Sequence, residues 1–427
     1  VPDGALAHGM PWTLAGLTTG AWELRDPFAP AAMPAPGLAE AQAPLAWYDS
    51  AAVVLGEGAA WRGFGAGLAT AEGYLKAPTG SKPRAILTVV SGAAALDRNA
   101  LILARGDERA WLRVGATAAK RGGVGDLDLA GQHLWTMVAG TRRGPHAFDV
   151  RFAQRGMGER QRAGVGESAR GRSGALGWCW ARGADALGAR WTRGFDAREL
   201  VPIESGVSPA RREAEQNELE LTAQRGAGAR SAGLRLAIDE ARVIRTVELA
   251  VTRPPRTEWN TRSWWLAGRA SRPLGEGQLD LQLGGGRDRS PATASERTQL
   301  APSLAWRARA GDRTVRLFLE RIVDPVWSDL DPQTRPFVQD TWAGGFDAAI
   351  GVPDTNAVSF ELLGGRAGGR ATLLRYPVRD EALLVGWQRD ARRYDFVLAQ
   401  AAAHGRWRAF EGDLSGYLLG RERGSSQ

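Results

Sequence analysis

Cysteine is all but missing. Cys179 is the only one in 427 residues, which excludes an intramolecular disulfide and any zinc site built on thiolates; among alternating neighbours it reads as a small apolar side chain. No run of about 18 uncharged apolar residues occurs, which excludes an ordinary transmembrane helix. The apolar stretch from Ala29 to Tyr48 is broken by four prolines and by Glu40, and reads as loop. The four histidines (His8, His133, His146, His404) show no metal-ligand spacing, so no metal site is expected. His133 and His146 fall on facing strands and could meet across a hairpin, with ordinary interface or lumen positions as the plain alternative. Lysine occurs only at 76, 82 and 120, so the formal charge of +8 is carried by arginine. These arginines are scattered through strands and loops rather than gathered in a patch, which argues against a nucleic-acid partner.

Enzyme signatures are missing too. Gly164-Val165-Gly166-Glu167-Ser168 has its serine in the wrong place for a nucleophile elbow. The glycine-rich run Gly63 to Gly67 is not closed by Gly-Lys-Ser/Thr, so it is not a phosphate loop. Asp239-Glu240 and Asp380-Glu381 sit at expected strand ends, where solvated charge is the default. The sequence reads as a non-enzyme without a cofactor.

What is abundant is glycine (55) and tryptophan (17), suited to tight turns and to a bilayer interface belt. In Phe148-Asp149-Val150-Arg151-Phe152 large apolar side chains alternate with charges. Leu176, Trp178 and Trp180, then Leu187, Ala189 and Trp191, continue the period of two around the turn Gly183-Ala184-Asp185. Similar units follow near 219–223, 234–238, 264–270, 279–283, 304–308, 315–320, 342–350 and 358–362. From Arg84 a first strand is expected to run as far as Ala104. Segments of about 9–11 residues, joined alternately by tight turns and long polar loops, are the pattern of an outer-membrane β-barrel. A soluble β-propeller is the competing reading, but no signature residues repeat at 40–50 residue spacing.

Residues 1–80 lack that rhythm. They carry Asp26-Pro27-Phe28, then the strand-like Val53-Val54-Leu55 ending at Gly58, then Gly63, Gly65, Gly67 and Gly73. In order and spacing these motifs resemble the later part of the plug domain of TonB-dependent outer-membrane receptors, running into the barrel behind it. The resemblance implies an all-β fold: a transmembrane antiparallel barrel with about 18 strands present of a likely 22, and an N-terminal partial plug. Residues 1–80 would be the partial plug and 81–427 the barrel, the chain being truncated at both ends. It also implies a bacterial outer-membrane location and import of a scarce bulky nutrient of siderophore, cobalamin, haem or glycan type. The partners would be the outer-membrane lipid, a TonB-type energising complex and a small or medium-sized nutrient ligand. The alternative is a non-energised porin-like channel or surface adhesin whose plug is vestigial.

Three placements follow. The loops at 157–172, 196–215, 285–297 and 323–340 should form one vestibule, with the turns at 183–185, 226–228, 274–277, 310–312 and 353–354 at the other rim. Phe148, Val150, Phe152, Leu219, Leu221, Leu234, Leu236, Leu279, Leu281, Leu317 and Leu319 should face lipid. Asp149, Arg151, Glu218, Glu220, Arg235, Asp239, Asp280, Arg316 and Glu320 should face the lumen, because arginine on the lipid face near the midplane costs roughly 2–4 kcal/mol.

Overall fold

In the computed structural model the residues described are 22–25, 50–55, 59–63, 69–74 and 82–423, the last span without 93–95, 108, 121–131, 163–164, 203–209, 248–255, 291–294, 327–336, 353–355, 369, 374–386, 391–393 and 408–409. Three short strands come first: β1 (Trp22–Arg25), β2 (Ser50–Leu55) and, after the one-turn helix α1 (Ala59–Arg62), β3 (Ala69–Tyr74). They form a small mixed sheet in which β3 is central, parallel to β1 and antiparallel to β2.

The large sheet begins with β4 (Arg84–Gly92), β5 (Leu96–Gly106), β6 (Ala110–Lys120) and β7 (Gln132–Arg143). The longest strands follow: β8 (His146–Arg162), β9 (Val165–Arg182), β10 (Asp185–Pro202), β11 (Ala210–Ala227), β12 (Arg230–Val247) and β13 (Arg256–Leu274). Then come β14 (Gly277–Ser290), β15 (Ser295–Ala310), β16 (Arg313–Val326), β17 (Phe337–Val352) and β18 (Asn356–Gly368). A two-stranded hairpin, β19 (Arg370–Leu373) with β20 (Trp387–Asp390), interrupts before β21 (Tyr394–Trp407) and β22 (Phe410–Arg423). The strand order is that of a closed barrel of seventeen strands among the described residues, one fewer than the number read from the sequence. From β4 to β22 each strand pairs antiparallel with the next along the chain, β18 passing directly to β21.

Antiparallel succession sends alternate connections to opposite rims. The two-residue turns at 144–145, 183–184, 228–229, 275–276 and 311–312 share one rim, and 203–209, 248–255, 291–294 and 327–336 connect strands at the other. Each of these turns opens on a glycine with φ between 58° and 62° (Gly144, Gly183, Gly228, Gly275, Gly311), the left-handed geometry that matches a two-residue hairpin to strand twist.

Three readings need correction. Strands β8 to β13 have 17–19 residues rather than 9–11. The segments 157–172, 196–215 and 285–297 are therefore mostly ladder, with only 163–164, 203–209 and 291–294 between strands. The single strand from Arg84 to Ala104 is a hairpin, β4 with β5.

The reason for the extra length lies in the outward face. Trp191, Leu219, Ile238 and Trp264 lie opposite one another in one row across β10 to β13. The next outward row is Arg193, Asn217, Glu240 and Arg262. Below this step the outer wall is apolar; above it the same strands continue with charged side chains on the outside. On β11, β12 and β13 the apolar outward rows run over 219–223, 232–238 and 264–270. The remainder of each strand is a collar beyond this belt.

Candidate functional site

Side chains of the belt separate by parity. Phe148, Val150, Phe152, Leu219, Leu221, Leu234, Leu281, Leu317 and Leu319 are exposed on the outer wall, Leu234 by 59%. Leu236 and Leu279, in the same outward register, are half-buried. Trp135, Trp191, Trp264 and Trp342 are also exposed, Trp135 by 55%. Glu218, Arg235, Asp280 and Glu320 are buried on the opposite face, where Asp149, Arg151, Glu220, Asp239 and Arg316 are half-buried. In a barrel that face is the lumen.

On β11 and β12 the lumen face brings Glu218, Glu220 and Arg235 together, since Thr222 stands opposite Arg235 and Glu218 opposite Asp239. Arg235 is only 2% exposed. Its Nε lies 3.1 Å from Glu220 Oε1, and its Nη2 donates to Glu220 Oε2 at 3.3 Å. Glu218 Oε1 is 3.8 Å from the same Nη2. The remaining Nη1 donates to the main-chain carbonyl of Trp61 at 3.2 Å. The guanidinium thus spends Nε and Nη2 on carboxylates and turns Nη1 to a neutral acceptor, a backbone carbonyl.

Trp61 belongs to α1, and three further contacts fix this segment on the wall. Trp265, 2% exposed, donates its indole Nε1 to the Ala60 carbonyl at 2.9 Å. The Arg269 guanidinium lies 4.3 Å from the Trp61 ring centroid and donates to Gln224 Oε1 at 2.9 Å. At Gly284 an added Cβ would come within 2.1 Å of the Ala60 carbonyl oxygen, so only glycine admits the helix there. Gly63, with φ +88°, lies against the Trp265 ring, where an added Cβ would come within 2.8 Å of it. Ala60, Trp265, Ala267 and Ala301 form one small buried cluster with Trp61 packed on it.

Other inward charges are paired too. Asp280 accepts from Ser271 and Gln278 and lies 3.4 Å from Arg307 Nε. Arg316 pairs with Asp347, Arg151 with Asp149 at 2.6 Å, and Gln216 donates to Asp239 at 2.6 Å. The inner wall is not charged throughout: Ile102, Leu134, Val138 and Ala153 of β5, β7 and β8 form an apolar patch with Ile86 and Trp111. Above the belt, ion pairs such as Arg242 Nε with Glu258 at 2.8 Å face water. The hydrogen bond and charge of Glu258 push the Arg242 pKa up.

Of the plug-motif residues, Val53 and Leu55 lie on β2, Gly73 lies on β3, and Gly63 follows α1. Asp26, Pro27, Phe28, Gly58, Gly65 and Gly67 fall outside the described residues. His133 and His146 do not meet: His133 is opposite Gly156 near one end of the β7–β8 ladder, while His146 stacks on Trp178 at the other. Among the described residues no three His, Cys, Asp or Glu side chains are placed to hold a metal ion.

Trp61, Trp265 and Gly284 were not singled out in the sequence. The pair Trp264-Trp265 did carry a signal: consecutive strand residues face opposite sides, so one of two adjacent tryptophans has to enter the lumen.

No family model matches this sequence, and no curated protein does. Solved structures match over nearly the whole chain. The copper transporter OprC is 12% identical, with a TM-score of 0.77 over 98% of this chain and 76% of its own. BauA, the ferric preacinetobactin receptor from Acinetobacter baumannii, is 11% identical, with a TM-score of 0.70 over 97% and 73%. The pyoverdine outer-membrane receptor FpvA from Pseudomonas aeruginosa PAO1 is 10% identical, with a TM-score of 0.72 over 99% and 72%. At such identities the likeness is one of fold.

Proposed function

We propose that this chain, which has the β-barrel fold of TonB-dependent outer-membrane receptors, is itself an outer-membrane receptor that imports a scarce bulky nutrient. Residues 1–80 act as a plug and 81–427 as the barrel. The observation that carries this reading is the attachment of α1 to the lumen wall through Arg235, Trp265 and Gly284. The two hydrogen bonds go to main-chain carbonyls, so they hold the segment without covalent cost and are replaceable by water when it moves. The inward charges Glu218, Glu220, Asp280, Arg316 and Glu320 line the path that such a movement would wet. The outward apolar belt is what a closed sheet needs in hydrocarbon, where every backbone group must find its partner inside the sheet. Siderophore, haem, cobalamin and glycan ligands all remain within this class of substrate.

Uptake tests it. Cells expressing the chain are offered a panel of iron-labelled siderophores, haem, cobalamin and oligosaccharides, with and without a working energising complex. One ligand class should accumulate, and only in the energised cells. Accumulation that ignores the energising complex would turn the reading toward a passive channel. In planar bilayers the intact chain should conduct poorly, and a variant lacking residues 1–80 should conduct strongly.

A further inference from the structure

The outer wall of β10 to β14 is not evenly convex. A cavity of about 830 Å³ opens on it, close to the rim of two-residue turns. Leu187, Leu234, Leu281 and Leu283 stand around it, all exposed, Leu283 by 53%. Its floor is made of small residues, Ala223, Gly268 and Ala270, which face outward in the same register. Between these leucines the small side chains of the floor leave room for an acyl chain. At its turn-side end the lining passes to Trp180 and Arg225.

The charge at that end is unbalanced. Arg225 stands outward opposite Ala232. One same-face step nearer the turns, Arg230 and Arg272 fall at facing positions immediately past the Ser231–Ser271 pair. Neither they nor Arg225 has a carboxylate partner among the described residues. The one acid on the lining, Asp185, accepts from the Gly226 N–H at 3.2 Å. Facing like charges on neighbouring strands destabilise a sheet, and at a bilayer interface they are relieved by an anion.

We propose that this face binds one anionic glycerophospholipid, with an acyl chain in the slot between the leucines and the phosphate on Arg225, Arg230 and Arg272. The inference rests on the barrel spanning a membrane. It commits to a glycerophospholipid because the short-turn rim of such barrels faces the periplasm, and the slot opens toward that side. The tail contributes burial of methylenes and the head contributes charge complementarity, each lowering the free energy of the same molecule.

The test uses the full chain inserted in vesicles, extracted into mild detergent and examined by native mass spectrometry with added phosphatidylglycerol, diacylglycerol or inorganic phosphate. Phosphatidylglycerol should be retained in preference to the other two. Filling the slot with Ala223→Phe and Gly268→Leu should lower its retention about tenfold. Arg225→Glu should lower it at least fivefold, and the milder Arg225→Gln about fivefold; the latter serves if charge reversal prevents insertion. Ala116→Phe, outward on β6 opposite Leu101 and Trp135, should change nothing. Equal retention by all variants, or binding of inorganic phosphate with no gain from acyl chains, overturns the site while leaving the barrel reading intact. Failure of the unaltered chain to insert at all overturns both.

Discussion

Belt and collar are two halves of the same strands, and they obey different rules. Within the belt, Leu219 and Leu221 face out while Glu218 and Glu220 face in. A few residues further along the same strand, Glu213 and Glu215 face out and pair with Arg211 and Arg193. Backbone geometry and hydrogen-bond ladder are unchanged across the step. What changes is the outer face, from apolar to charged, as a step from hydrocarbon to water would require. Sheet register alone therefore does not dictate composition; the medium on each side does.

The largest effect that would test this contrast is at Arg235. Replacing it with leucine leaves the buried Glu218 and the half-buried Glu220 without their cation, and should cost about 3–5 kcal/mol in urea unfolding from vesicles. Arg242→Leu, which removes a collar pair open to water, should leave the midpoint unchanged; equal losses would erase the distinction. Next is the outer face itself. Leu221→Arg should cost about 2–4 kcal/mol, whereas Asn217→Arg, four residues away on the far side of the step, should be tolerated. If both are tolerated, the belt boundary is misplaced.

A smaller loss, about 1–3 kcal/mol from overpacking, is expected for Gly284→Val, which drives side-chain atoms into the Ala60 carbonyl. Its sharper readout is hydrogen exchange: amides of residues 60–63 should exchange faster while those of β14 stay protected. The smallest effect belongs to the turn-side rim. Asp107 accepts from the N–H groups of Arg109 and Ala110 at 2.8 and 3.0 Å. The Ala110 bond first, and the Arg109 bond next, pull its pKa below the usual 3.8. Its contribution is therefore present above that ordinary value and lost as pH falls through the lowered folded-state one. Asp107→Ala should unfold slightly earlier than the parent at neutral pH, and the two should converge in strong acid.

The belt was legible in the sequence because only there does hydrophobicity alternate with period two; Phe148 to Phe152 and Leu279 to Leu283 announce both strand and faces. The collar was not. In 157–172 glycine, arginine and glutamate occupy both faces, so a hairpin ladder reads as a polar loop. The apolar inner sector was hidden for the opposite reason: at Ile86-Leu87 and Leu101-Ile102-Leu103 both faces are apolar, and alternation disappears. Of the lumen site, the charged members stood out because an inward arginine interrupts an outward leucine pattern. Trp61, Trp265 and Gly284 depend on contacts more than 200 residues apart in sequence, as between Ala60 and Trp265, and no local pattern carries those.

The collar has a consequence for what meets the protein from outside. On β13 it runs from Arg256 to Arg262 beyond the last apolar row, which at about 3.3 Å per residue and a tilt near 40° lifts the mouth roughly 15–20 Å above that row. The collar is thus a stiff chimney whose walls are ladder, tied by the backbone hydrogen bonds along it. Such a chimney sets a size limit that thermal motion hardly blurs. It also divides labour in evolution: the connections joining its strands can be exchanged while the shaft stays as it is.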